Sequence, residues 1–198
     1  MSVFEKYLTE TEERQLLNTV KRVDDVLAKR DYHWMQLMRR TGIRVGALSQ
    51  LTLGDAKDAI ANKRLVLRDD ISKKGHGYDV PLASGAVGNL KALIKLRRTQ
   101  GGTNDDGEPL ILSREHTALS VRSFQHRLHC WVAAAGLGLQ VTPHWFRHTF
   151  AKRVIKHSTA NSPVMVANKL LGHRNLKTTM IYAQPDREDL QHTMEEIG

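Results

Sequence analysis

Apolar residues recur at helical spacing along most of this 198-residue chain, a pattern that a largely helical fold buries along one side of each helix. Thr9 and Glu12 form a capping box, which predicts a first helix of about twenty residues. Its inward positions are Leu16, Leu17, Val20, Val23 and Leu27. A second helix is expected from about Asp31 to Arg40 and stops at Gly42, because glycine adopts the left-handed conformation that ends helices.

A different pattern interrupts the helices in the middle of the chain. Arg64–Leu67 and Asp79–Leu82 are short, strand-like runs that flank a glycine-containing turn. Lys73 and Lys74 lie at the tip of that turn. The two runs therefore predict a small β-ribbon that carries two lysines at its end.

Helical spacing returns in the second half of the chain. Ser84 and Ser120 are candidate helix caps, and Thr142-Pro143 and Ser162-Pro163 each place a proline at the first helical position. The final segment carries one apolar stripe, formed by Leu190, Met194 and Ile197. The predicted fold class is mainly α with a small β-ribbon, an α+β arrangement.

Composition restricts the class of protein. With 40% apolar residues the chain can bury the core of one compact domain or slightly more. Its longest apolar run, near Trp131 to Ala135, is about five residues, far below the roughly 18 that cross a bilayer. The first fifteen residues are polar and acidic and predict no secretory signal, and the single cysteine, Cys130, excludes an internal disulfide. A cytoplasmic protein with no membrane partner is expected.

The net charge of +9 is concentrated in one part of the chain. Residues 116–185 contain no Asp or Glu, yet they hold nine Lys and Arg and seven of the ten histidines. The remaining 21 basic residues balance the 21 acidic ones. A long block without carboxylates favours a polyanion as partner, and nucleic acid is the expected polyanion in the cytoplasm. A generally basic, solvated surface is the alternative.

Candidate functional residues lie in and near this block. His144 and Arg147, three apart at a helix start, could hold a phosphate together, or they are ordinary surface residues. His144 and His148 also have the spacing of zinc ligands, but the block supplies no carboxylate ligand. His173 follows a glycine that ends a helix, and Tyr182 comes nine residues later. Each segment alone has a structural explanation.

Together these segments resemble the catalytic domain of the tyrosine recombinases, the phage-integrase family. The resemblance rests on their order and approximate spacing, and it extends from about Tyr7 to Tyr182. The matching segments are Gly42-Ile43-Arg44, a ribbon lysine, His144-Trp145-Phe146-Arg147-His148, Leu170-Leu171-Gly172-His173 and Tyr182. The fold implied is that of the DNA breaking-rejoining enzymes.

The resemblance implies a role for each matching residue. Tyr182 would be the nucleophile, Arg44 and Arg147 would bind the phosphate, and His144 and His173 would supply supporting hydrogen bonds. Lys73 would be the general acid, because it is selected by counting back from Val80-Pro81. Lys74, which precedes a glycine, is the alternative.

These residue types suit transfer of a phosphodiester. Arginine presents permanently charged, fork-shaped donors that match the oxygens of a phosphate. A tyrosine with a pKa near 10 needs a proton acceptor, for which His173 is the nearest candidate, and the departing 5′ oxygen needs a proton donor. A 3′-phosphotyrosyl link keeps the energy of the broken bond, so neither ATP, nor a metal, nor another cofactor is expected.

The chain departs from the family at two points. Ala47 stands where most members have Glu three residues after the first arginine, so Arg44 would need another partner. No segment corresponds to the helical DNA-clamping domain that usually precedes the catalytic domain. Residues 1–185 are expected to form the catalytic domain, and 186–198 a tail that docks onto a neighbouring protomer or onto its own domain.

The implied partner is double-stranded DNA with a specific recombination site. A homotetramer is expected on two synapsed sites, with a monomer possible without DNA and with accessory DNA-bending proteins as further partners. The protein would associate with the nucleoid when it is bound to DNA. The implied function is integration, excision or inversion of DNA.

Two other functions remain open at this stage. Ala47 and the missing clamp domain are compatible with a catalytically silent DNA-binding regulator of recombination. A DNA relaxase similar to type IB topoisomerases would use the same chemistry without joining two sites.

Overall fold

The computed structural model describes residues 6–72, 77–185 and 187–197, without the side chains of residues 187, 188 and 192. Strands β1 (Arg64–Val66) and β2 (Asp79–Pro81) pair antiparallel, with Leu65 opposite Val80. The helices are α1 (Glu10–Lys21), α2 (Val26–Thr41), α3 (Val45–Leu48), α4 (Leu53–Asn62), α5 (Ser84–Thr99), α6 (Val121–Ala134), α7 (Pro143–His157), α8 (Pro163–Leu171), α9 (Lys177–Met180) and α10 (Arg187–Ile197), with a 3₁₀ turn at Ile181–Ala183. The predicted fold class is confirmed.

The first helix is shorter than predicted. The capping box of Thr9 and Glu12 is present, but α1 ends at Lys21. Asp25 then accepts a hydrogen bond from the backbone N–H of Ala28 and begins α2 five residues before the expected start. The apolar spacing continues across this break, and for that reason it indicated one long helix. Val23 lies in the connection and is 40% exposed.

The helix α2 is the centre of the domain and packs against α1, α5 and α7. Its Trp34 is fully buried and makes edge-to-face contacts with Phe124 of α6 and Phe146 of α7. Such aromatic pairs add to the free energy gained from burying their surface. The core therefore fixes α7, which carries three of the candidate functional residues, against the middle of the molecule.

A buried carboxylate joins α2 to α6. Asp31 is fully buried inside α2, not at its start as predicted, and one of its oxygens accepts hydrogen bonds from Arg30 and from the indole N–H of Trp34. The other oxygen accepts from Arg127 and from the indole of Trp131, both on α6. Each acceptor position has a donor, which is the condition for keeping a charge inside a protein.

Helix α4 is not predicted by the sequence pattern. Its start is a second capping box, in which Thr52 and Asp55 satisfy each other's backbone donors. Its buried face consists of Leu53, Ala56 and Ala59, and the two alanines give little apolar signal. Within the described ranges, no helix is both long and apolar enough to cross a membrane.

One helix start agrees with its prediction, because Ser120 caps α6 through a hydrogen bond from the N–H of Ser123. The starts of α5, α7 and α8 differ in detail from the predictions. The cap of α5 is Ala83, and Ser84 is its first helical residue. Thr142 and Ser162 precede α7 and α8 as expected, but neither side chain makes a capping bond, so proline at the first helical position defines these starts.

Candidate active site

Two helices that end in glycine point their carboxyl ends at Arg147. Gly42 ends α2 and Gly172 ends α8, and both have the left-handed backbone predicted for a helix stop. The Arg147 guanidinium donates to the carbonyl oxygens of Gly42 and Leu171, each at 2.6 Å. Carbonyls at the end of a helix lack internal partners and carry partial negative charge, so they hold a cation well.

The burial of Arg147 changes its electrostatics. The residue is only 2% exposed, and burial, aided by repulsion from Arg44, lowers its pKa to about 10. It therefore remains a cation at neutral pH. Three of the five N–H donors of this arginine bond to Gly42, Leu171 and His173, and among the described residues the other two remain for a ligand. His144, which was expected to hold a phosphate together with Arg147, lies at the start of the same helix with an exposed side chain.

The hydrogen bonds of His173 determine its tautomer. Its Nε2 lies 3.0 Å from the Arg147 guanidinium, which can only donate, so Nε2 accepts. Nδ1 consequently carries the hydrogen and donates to the hydroxyl of Thr179 at 2.9 Å, which also accepts from Asn168. Burial lowers the pKa of His173 to about 4, and Arg147 and Arg44 act in the same direction. Both ring nitrogens are therefore engaged in a neutral ring.

Tyr182 lies on the 3₁₀ turn and is 7% exposed. It belongs to a small apolar cluster with Phe150 and Leu171, and its ring contacts His148 with 5.2 Å between centroids. Burial raises the pKa of the Tyr182 phenol, while the charges of Arg147 and Arg44 act in the opposite direction. The phenol is protonated at neutral pH and needs an acceptor before it can act as a nucleophile.

Arg44 follows the end of α2 directly and precedes α3. It is half-buried, and burial lowers its pKa, while Tyr78 and Tyr182 act in the opposite direction. Within the described part of the chain it makes no ion pair, and it lines a cavity of about 380 Å³ together with Ala47, Ser72, Tyr78 and His144. The guanidinium is thus available to an anion that enters this cavity.

Ala47 lies on the wall of the same cavity and is 6% exposed. A glutamate at this position would extend into the space beside Arg44. In its absence, Tyr78 and Tyr182 are the described groups whose charge would favour the charged form of Arg44.

Lys73, the expected general acid, and its alternative Lys74 lie outside the described residues. The returning side of the ribbon is held near the site, because the hydroxyl of Tyr78 donates to the carbonyl of Thr41 at the end of α2. A Cβ on Gly172 would come within 3.2 Å of the carbonyl oxygen of Gly77. The ribbon therefore runs beside the segment that carries His173.

The structure brings together five of the six predicted site residues, Arg44, His144, Arg147, His173 and Tyr182. With these positions established, a sequence model described as the phage integrase family matches residues 6–189. The chain belongs to the phage integrase family.

Two tyrosine recombinases match most of the chain. Tyrosine recombinase XerC of Neisseria gonorrhoeae is 34% identical over 173 residues, which are 87% of this chain and 52% of that protein. Tyrosine recombinase XerC of Vibrio vulnificus is 32% identical over 186 residues, which are 93% of this chain and 55% of that protein. The chain spans about half the length of these relatives.

Solved structures of two recombinases share the fold. The crystal structure of XerA recombinase matches with a TM-score of 0.76 at 23% identity and covers 99% of this chain and 65% of that one. The XerH recombinase bound to its difH substrate, a pre-cleavage complex, matches with a TM-score of 0.72 at 19% identity and covers 98% of this chain and 55% of that one. These likenesses establish the architecture.

Three residues of the site were not predicted for it. His148 was considered only as a zinc ligand, although it is the last residue of the same His-x-x-Arg-His motif and contacts Tyr182. Thr179 supports His173, and Tyr78 lines the cavity beside Arg44. Neither of the latter has a sequence signal, because a residue with a buried hydroxyl resembles any other packing residue in the sequence.

Proposed function

We propose that this protein catalyses site-specific DNA recombination, by cleaving and rejoining DNA strands through a 3′-phosphotyrosyl intermediate. The observation that carries the proposal is the position of Arg147, which donates to the carbonyl of Gly42, two residues before Arg44, and to that of Leu171, which packs with the buried Tyr182. Paired guanidinium groups match a phosphodiester whose oxygens gain charge in the transition state. Tyr182 is the nucleophile. His144 and His173 supply supporting hydrogen bonds to the phosphate and to Arg147.

The chemistry of the step follows from these groups. Attack by Tyr182 replaces one phosphate ester by another, so the energy of the broken bond is kept and ATP is not consumed. The charges that a metal ion would supply are supplied by the two arginines, so the reaction proceeds without metal. Lys73 donates a proton to the departing 5′ oxygen.

Duplex DNA is the substrate because of the distribution of charge. The carboxylate-free block 116–185 includes both the site helix α7 and the basic helix α6. A cleft of about 540 Å³ at the start of α6 is lined by Arg114, Arg122 and His126 among others. Lysines and arginines that neutralise phosphates release counterions, so binding should weaken as salt rises.

The assembly proposed is a homotetramer on two synapsed DNA sites, with a monomer in the absence of DNA. The tail helix α10 exposes Leu190, Met194 and Ile197 and does not bury them on its own domain. Residues 1–185 form the catalytic domain, and the tail docks onto a neighbouring protomer. The protein acts in the cytoplasm at the nucleoid, where DNA-bending proteins assist it.

The test is capture of the covalent intermediate. Duplexes that tile the DNA flanking the gene each carry a nick a few nucleotides 3′ of a candidate cleavage position, so that the short 5′-hydroxyl fragment diffuses away. A protein–DNA adduct that survives denaturation is expected, and sequencing its DNA gives the recombination site. Tyr182→Phe should abolish the adduct, because no other group on the 3₁₀ turn can form the phosphotyrosyl bond.

The matched control is Tyr32→Phe, which also removes one phenolic hydroxyl but lies on α2 away from the site. This variant should form the adduct at the rate of the wild type. An adduct that persists in Tyr182→Phe would remove Tyr182 from its role. Salt-sensitive DNA binding without an adduct would instead support the silent regulator, and supercoil relaxation without exchange between two sites would support the relaxase.

A further inference from the structure

The proton acceptor for Tyr182 has to be a group with a free lone pair beside the phenol. His173, the nearest candidate by sequence, has none in this structure. Its Nε2 accepts from Arg147 and its Nδ1 donates to Thr179. Taking the phenolic proton would require His173 to give up one of the three bonds that hold Arg147 in place.

His148 is a second histidine next to the tyrosine, and one of its ring nitrogens has no partner among the described residues. Its ring contacts the Tyr182 ring, with 5.2 Å between the centroids. Its Nδ1 is buried and makes no hydrogen bond with any described residue. Buried polar atoms are nearly always paired, so an unpaired nitrogen on a ring that contacts the nucleophile calls for a functional explanation.

We propose that Nδ1 of His148 accepts the phenolic proton of Tyr182 as the tyrosine attacks the scissile phosphate. The inference rests on the function proposed above. The two rings already touch, and the transfer requires the Tyr182 hydroxyl to come within hydrogen-bond distance of the nitrogen when DNA binds. Hydrogen bonds of this kind are often absent from a free enzyme and form only in the reactive complex.

The step balances in atoms and charge. The bond between the Tyr182 oxygen and phosphorus forms while the bond between phosphorus and the 5′ oxygen breaks. The phenolic proton passes to Nδ1 of His148, and the 5′ oxygen takes a proton from the Lys73 ammonium. Rejoining reverses each transfer, so His148 returns its proton to the tyrosine.

The charged and titratable groups around His148 are consistent with this role. They are His144 and Arg147 on its own helix, Lys6 from the N-terminal segment, Tyr182 on the 3₁₀ turn and His173 after α8. Burial lowers the pKa of His148 to about 4, and the first three groups act in the same direction. The ring is therefore neutral, and a bound phosphate offsets the cations and increases its basicity when the proton has to move.

The test compares three substitutions in single-turnover cleavage of the trapped duplex. His148→Phe keeps a ring without an acceptor, and His148→Asn keeps an acceptor at the Nδ1 position that is too weak a base to take the proton. Both should slow adduct formation by about 100-fold, the contribution typical of a general base, with DNA affinity unchanged. The deficit should shrink as pH rises, because phenolate then forms without the base. Imidazole added to His148→Ala should restore cleavage.

The matched control is His157→Phe at the exposed end of the same helix, which should cleave like the wild type. Wild-type rates in His148→Phe would overturn the inference, as would full activity in His148→Asn or a deficit that is equal at every pH. In each of these cases the Tyr182-dependent adduct of the wild type stands. Failure of the wild type itself to form that adduct would overturn the proposed function and this step together.

Discussion

At the scale of single residues, the backbone conformation of Gly42 supports the cation at the centre of the site. Its φ is +66°, a region that side chains with a Cβ rarely adopt. A Cβ here would stand 2.5 Å from Cδ1 of the buried Phe150, which packs beside Tyr182. The carbonyl of Gly42 also accepts the bond from Arg147, so conformation, packing and electrostatics depend on one residue.

Gly42→Ala should therefore reduce both stability and cleavage. The left-handed backbone alone costs about 1–2 kcal/mol for a residue with a Cβ, and displacement of Phe150 adds to this. Chemical denaturation should show a loss of about 2 kcal/mol or more, and adduct formation on the trapped duplex should be slower because Arg147 loses its support.

Gly88→Ala is the control for this prediction. Gly88 lies in the exposed interior of α5, and a Cβ there meets nothing within 4 Å. Alanine favours helices over glycine by up to about 1 kcal/mol, so this variant should be as stable as the wild type or more so. Similar losses at the two glycines would contradict the account of Gly42.

At the scale of elements, α10 is a helix whose apolar stripe has no partner within the described part of the protein. Leu190, Met194 and Ile197 are 59%, 65% and 72% exposed. Side chains this exposed add little to the stability of the domain, whereas each gains about 1.5–3 kcal/mol when fully buried in an interface. The exposure favours docking in trans over docking on the same domain.

Replacing Leu190 and Met194 together by Gln should weaken the DNA-bound assembly and leave the domain intact. Analytical ultracentrifugation on the trapped duplex should show species smaller than the tetramer, with an unchanged Tm of the free protein. Val66→Gln on β1 is the control, since Val66 is 57% exposed on another element. A lowered Tm would place the tail on its own domain, and an unchanged tetramer would remove the tail from the interface.

At the scale of the whole molecule, two half-buried histidines make stability depend on pH. The pKa values of His148 and His173 are both lowered from 6.5 to about 4, chiefly by burial. Between about pH 4 and pH 6.5, the unfolded chain therefore binds more protons than the folded one. The contribution of the two neutral histidines to the free energy of unfolding should therefore be fully present above about pH 6.5, and it should decrease as the pH falls towards 4.

Urea denaturation at a series of pH values measures this effect. The loss of stability between pH 6.5 and 4 should be smaller in His148→Phe than in the wild type, because one of the two groups is then missing. Identical slopes in the two proteins would mean that His148 titrates normally in the folded state.

Several elements followed from local sequence. The capping box of α1, the glycine stops after α2 and α8 and the prolines at the starts of α7 and α8 each use chemistry within a few residues. The break between α1 and α2 and the whole of α4 were missed. The capping bond of Asp25 starts a new helix although the apolar spacing continues across it, and the alanines of α4 bury too little surface to give a signal.

The sequence by itself determined the helical class, the ribbon, the basic block and the residue types of a phosphate site, because spacing and charge are local properties. Only the tertiary structure decided which hydrogen bonds those residues make with one another and with the backbone. Arg147 donates to the ends of two helices that are distant in sequence, and its pair with His173 uses the lone pair of that histidine. His148 alone keeps a buried, unpaired nitrogen beside Tyr182 among the described residues. Burial and hydrogen-bond partners come from packing, which no local pattern records.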